Sequence, residues 1–126
     1  MAEGYEPIPY EGHRQLLWSN PNSGYWGTND IVLSSSDYSV LEVVFAHAND
    51  SSVPKIHQFF TKGYNIILYF NNVESVASNC FIMSRLLVRK SDTTYTPQLG
   101  MIIRWGGQPE SGQNYFMIPR EIYGIK

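Results

Sequence analysis

The chain of 126 residues has the size of one domain, long enough to bury a core without staples. Its 9 basic and 11 acidic residues leave a net charge of -2, which excludes bulk electrostatic attraction to nucleic acid or to an anionic membrane. Cys80 is the only cysteine, so no intrachain disulfide is possible, and the thiol reads as a small buried hydrophobe.

In chain order, residues 1–14 carry Gly4, Pro7, Pro9 and Gly12 with little periodic apolar content, and read as an extended arm or linker. They hold no basic or apolar signal region, and no later run reaches the ~18 apolar residues of a membrane helix. The expected protein is made in a cytoplasm, is not exported by a classical signal and does not insert in a membrane. Residues 15–126 read as a single domain. Leu16-Leu17-Trp18 reads as a core strand. Leu41, Val43 and Phe45 alternate with Glu42, Val44 and Ala46, the period of two expected of a strand, over Val40 to His47. A strand from Ile56 to Lys62 follows, then a turn at Gly63-Tyr64-Asn65 and a β-branched and aromatic run from Ile66 to Phe70. Residues 73–80 fit one helical turn or a loop. Phe81 to Lys90 predicts a strand with Ile82, Leu86 and Val88 on one face and Phe81, Met83, Arg85, Leu87 and Arg89 on the other. Met101 to Trp105 predicts another, ended by Gly106-Gly107. Tyr115 to Ile118 and Glu121 to Ile125 close the series, with Pro119 expected at a bend or a sheet edge because it lacks a donor. No segment sustains a 3.6-residue period. Seven to nine short, mostly antiparallel strands punctuated by Gly, Pro, Asn and Ser predict an all-β sandwich.

Charged residues are 16% of the chain, against roughly 25% in an average globular domain, and aromatic residues are 14%. A surface poor in charge and rich in aromatics calls for cover by a partner subunit or a sugar. The strands at 66–70 and 81–90 carry apolar residues on both faces, whereas a two-layer sandwich buries only one face of each sheet. The second face therefore points to a subunit interface, with loops or the N-terminal arm as the alternative cover.

The chemistry-bearing residues form no catalytic pattern. His13, His47 and His57 stand in no metal-ligand spacing, so no metal and no cofactor is expected. His47 reads as a core or edge histidine and His57 as a surface one. Paired carboxylates would be needed for glycoside hydrolysis, but most of the acids, Asp30 and Glu110 among them, fall in turn-like segments, and no pair stands apart. Nucleophile elbow, phosphate loop and dinucleotide fingerprint are all missing. The expectation is a protein that is not an enzyme.

Two segments read as binding loops. Tyr25 and Trp26 stand among small polar residues with Asn29 and Asp30 close by, and aromatic faces stack on the C–H faces of sugars while Asn and Asp meet hydroxyls. Trp105, Gln108, Glu110 and Gln113 form the second set, a tryptophan at the base of a loop of amides and one acid. For both tryptophans the competing reading is a cap on the end of the core.

The ending Asn114-Tyr115-Phe116-Met117-Ile118-Pro119-Arg120-Glu121-Ile122-Tyr123-Gly124-Ile125-Lys126 resembles the C-termini of small β-rich head domains of phage and prophage tail-fibre, baseplate and receptor-binding proteins. Leu16-Leu17-Trp18-Ser19-Asn20-Pro21, with the stretch from Leu33 to Phe45, carries the same resemblance. The resemblance implies a jelly-roll-like sandwich and a homotrimer. It also implies residence in a virion among other virion proteins and attachment to host cell-surface glycan. A free-standing bacterial carbohydrate-binding module and a purely architectural virion decoration protein are the alternatives.

Overall fold

The computed structural model describes residues 14–22, 24–48, 55–72 and 80–126. The predicted arm, Arg14 excepted, and the segment at 73–79 lie outside them. Among the described residues there is no helix, and ten strand segments form two antiparallel sheets. They are β1 (Arg14–Ser19), β2 (Ile31–Val32), β3 (Val40–Ala46), β4 (Ile56–Thr61), β5 (Ile66–Asn72), β6 (Phe81–Arg89), β7 (Thr94–Pro97), β8 (Gly100–Arg104), β9 (Glu110–Gln113) and β10 (Ile118–Ile125). The chain is an all-β protein with the two layers of a β-sandwich.

The first sheet has the order β1-β10-β3-β4. The second is built on β6, which pairs with β5 along residues 81–87, with β8 at Phe81–Ser84 and with β7 at Leu87–Arg89. β5 fills one edge of β6, so β7 and β8 share the other edge end to end, and β2 and β9 add beyond them. The first strand lies beside the last and the second beside the seventh, around two plain hairpins, β3–β4 and β5–β6.

The alternation read from the sequence sets the layers. Leu41, Val43 and Phe45 of β3 point inward and are fully buried; Ile66, Leu68, Met83, Leu87, Tyr95 and Ile102 meet them from the second sheet. The face of β6 that enters the core is the one carrying Met83, Arg85 and Leu87. Ile82, on the opposite face, is exposed, as are Ile67 and Tyr69 of β5 and Ile103 of β8. The outer face of the second sheet is therefore apolar and open in the single chain.

The C-terminal run differs from its sequence reading in two ways. Residues 115–117 form bends rather than a strand, and Met117 takes a positive φ of 51°. Pro119 lies within one continuous strand, β10, which is an interior strand and not an edge. The sheet tolerates it because the register shifts between Pro119 and Glu121 against β3, while β1 has already ended opposite Glu121. Arg120 is the extra residue of this bulge, and the proline beside it lies beyond the end of β1, where no ladder donor is needed. Gly124 is required by close approach: a Cβ there would lie 2.8 Å from Leu17 Cδ1 and 3.0 Å from Tyr38 Cβ.

Candidate functional site

β5 and β8 end where β6 begins, and the residues there build a cavity of about 430 Å³. The register places Asn71, Ile82 and Ile103 in one row across the three strands on the outer face, with Asn72, Phe81 and Arg104 in the next row. Trp105, Gly106 and Gly107 turn over the open end. The turn is held by two backbone hydrogen bonds, from Trp105 N to the Cys80 carbonyl at 3.0 Å and from Gly107 N to the Arg104 carbonyl at 2.9 Å. Gly106 has φ of 72°, a conformation that glycine adopts without strain. Trp105 is 73% exposed, the highest value of any large apolar side chain among the described residues. It stands beside the cavity and does not cap the core.

Gln108 and Glu110, of the same predicted loop, lie outside the cavity. Glu110 accepts a 2.6 Å hydrogen bond from Arg104 Nη1 across the β8–β9 hairpin, an exposed ion pair. Gln108 is exposed on the hairpin turn. Gln113 pairs with Gly100 at the far end of the hairpin. Asn71, Asn72, Cys80 and Phe81 join Trp105 instead. Sequence distance concealed this grouping, and only the strand register brings it together.

The first predicted loop is divided among three environments. Tyr25 is exposed, and its carbonyl accepts from Asn20 Nδ2 at 3.3 Å. Trp26 is half-buried against the core, meets Trp18 edge-to-face at 5.1 Å and donates its ring N–H to the Asn29 carbonyl at 3.1 Å. Asp30 accepts from Thr96 Oγ1 at 2.6 Å and lies 3.7 Å from Lys90 Nζ. Thr96 stands opposite Val88 and Arg104 opposite Phe81, seven residues apart along β6, roughly 23 Å at the rise of a strand. Asp30 therefore cannot serve the cavity at Trp105.

Arg85 explains why the first loop is built as it is. This arginine is 1% exposed on the core face of β6, where a charge interrupts an apolar alternation. Its guanidinium donates to four backbone carbonyls: Gln98 at 2.6 Å, Gly27 at 2.5 Å, Phe116 at 3.4 Å, and Trp26. Burial lowers its pKa to about 10. Three irregular segments thus close on one cation, and the backbone of Trp26 is also tied to Asn114 at 2.9 Å. Trp26 belongs to this structural junction.

A second polar cluster lies on the outer face of the four-stranded sheet. The Glu42 carboxylate, 4% exposed, accepts from Arg14 Nε at 2.6 Å and meets His57 Nδ1 at 2.9 Å. The Arg14 guanidinium carbon sits 3.4 Å from the centre of the Tyr123 ring. His57 is half exposed, as a surface histidine, yet it is committed to this carboxylate. His47 stacks on Phe70 at 4.4 Å, and burial lowers its pKa. Comparison of the chain with protein-family models, with curated proteins and with solved structures returns no match.

Proposed function

We propose that this domain is a non-catalytic saccharide-binding head of a phage or prophage appendage, a tail fibre or baseplate component that attaches to a host cell-surface glycan. The observation that carries the reading is the cavity at the ends of β5, β6 and β8, where a 73% exposed tryptophan stands beside the amides of Asn71 and Asn72 on a rigid sheet. An indole face and side-chain amides are the groups that meet the C–H face and the hydroxyls of a pyranose, and loops at the end of a β scaffold are where such groups collect.

The placement in a virion rests on the resemblance of the two terminal segments. In the fold those segments are neighbours, since β1 and β10 pair antiparallel and hold the first sheet together. The assembly proposed is a homotrimer joined through the end of the second sheet's outer face away from the cavity, where Ile67, Leu86 and Val88 present no charge. A glycan array tests the reading with the full chain and a Trp105→Ala variant side by side. Binding by the parent that disappears in the variant supports it; binding that survives the substitution removes the cavity from the function.

A further inference from the structure

Given the saccharide reading above, on which this step rests, the residues of the Trp105 cavity narrow the class of sugar. Its outer row runs Asn71, Ile82, Ile103 across three neighbouring strands. Strands in a sheet lie about 4.8 Å apart, so the row spans roughly 10 Å, room for one sugar ring and a substituent. Two of the three side chains are aliphatic, with Ile82 52% and Ile103 40% exposed. A hydroxyl set on them would leave water and find no partner. A methyl group set there would gain by the same burial.

The electrostatics point the same way. Arg104 is the one charged residue lining the cavity among the described residues, and its guanidinium is already paired with Glu110 at 2.6 Å. With Glu110 cancelling its charge, the pair offers a carboxylated or phosphorylated sugar no net positive field. The remaining polar group on the row, the Asn71 amide, can both donate and accept. It complements a substituent that is itself an amide.

We infer that the cavity takes a neutral acetamido sugar. The pyranose lies against Trp105, the acetamido methyl rests on Ile82 and Ile103, and the substituent's amide faces Asn71. Burying one methyl is worth about fourfold in affinity. One added hydrogen bond is worth about fivefold. The acetamido form should therefore bind roughly ten- to twentyfold more tightly than the same sugar with a plain hydroxyl.

Saturation-transfer NMR and tryptophan fluorescence on the full chain test this with three matched pairs: N-acetylglucosamine and glucose, N-acetylgalactosamine and galactose, N-acetylmannosamine and mannose. The expected result is a preference of about tenfold or more within at least one pair, with the strongest saturation on the acetamido methyl. Ile103→Asn and, separately, Ile82→Ser should shrink that preference while leaving the circular dichroism spectrum unchanged. Equal affinities within every pair would keep the saccharide site and overturn the acetamido assignment. Tighter binding of glucuronate would overturn its neutrality, and fucose or rhamnose binding as tightly would overturn the role of the amide. If no sugar binds at all, the saccharide reading falls and this inference falls with it.

Discussion

Arg14 reaches from edge strand β1 across the Tyr123 ring to donate a 2.6 Å hydrogen bond to Glu42 on β3, while His57 approaches the same carboxylate from the other edge strand, β4. One buried carboxylate thus ties all four strands of the first sheet. Burial opposes ionisation of Glu42, but hydrogen bonds from His57 and Arg14 outweigh it and hold the carboxyl below its ordinary value of 4.5. A depressed carboxyl contributes stability that is complete above the unfolded value and is lost as pH falls through the folded one. Urea unfolding followed from pH 7 to pH 3 should therefore show a decline that sets in near and below pH 4.5. Glu42→Gln should cost about 2 kcal/mol at pH 7, the range for hydrogen bonds to a charged group. Its curve should meet that of the parent at low pH; parallel curves would mean that Glu42 is not the linked group.

Arg85 holds the carbonyls of residues 26, 27, 98 and 116 with one guanidinium. Arg85→Met keeps most of the stem and removes every donor. Its expected cost is about 1–3 kcal/mol in denaturant unfolding, the range for buried acceptors left without a donor. Arg85→Lys should recover little of this, because an ammonium cannot span a fork of four carbonyls. Full recovery by lysine would show that the charge alone suffices.

The two tryptophans should separate cleanly. Trp26→Ala opens the core edge at Trp18 and should cost about 3 kcal/mol, near the low end for truncating a buried tryptophan. Trp105→Ala removes an exposed side chain and should change stability by no more than about 0.5 kcal/mol. Melting curves of both variants, recorded beside glycan binding, would show stability lost in one and binding lost in the other. The reverse pattern would return the site to the Tyr25–Trp26 loop.

Light scattering at micromolar concentration should give the mass of three chains. Ile67→Lys places charge on the uncharged end of the second sheet's outer face and should yield single chains with unchanged circular dichroism. A stable interface buries about 800 Å² per partner, and a lysine at its centre is left without one. A parent protein that is already a single chain would favour the free-standing carbohydrate-binding module.

Deleting residues 122–126 removes half of an interior strand, including fully buried Ile122. Aggregated or unfolded protein is expected. Gly124→Ala is the milder probe: its Cβ would press on Leu17 and Tyr38, and overpacking of this kind costs about 1–3 kcal/mol. A truncated chain that melts with the parent would show that β10 adds nothing to the sheet.

The long alternating segments were readable because burial on one face imposes a period of two. β3, β4, β5, β6 and β8 lie within two residues of their predicted bounds. β2 has only two residues and β7 ends at Pro97, so neither carries enough period to be seen. The continuity of β10 was hidden by Pro119, since a bulge leaves no mark in the order of residues. Of the candidate site, Trp105 was legible and its neighbours were not, because Asn71 and Ile103 meet only through the register of β6. Arg85 did leave a signal, a charge on the strand face that carries Met83 and Leu87 into the core; Glu42 left none, since it alternates with Leu41 and Val43 as a solvent-facing residue would.

β1 pairs Arg14 with Ile125 and Ser19 with Glu121, so nearly the whole described chain lies within the loop that this pairing closes. The β3–β4 and β5–β6 hairpins need only local closure and can form early. The first sheet is complete only when β10 enters between β1 and β3, which makes the slowest folding step also the most long-range one. Until then, one edge of β3 is an unpaired ladder beside an apolar surface. An unpaired edge of this kind is the geometry that strand exchange between identical chains uses.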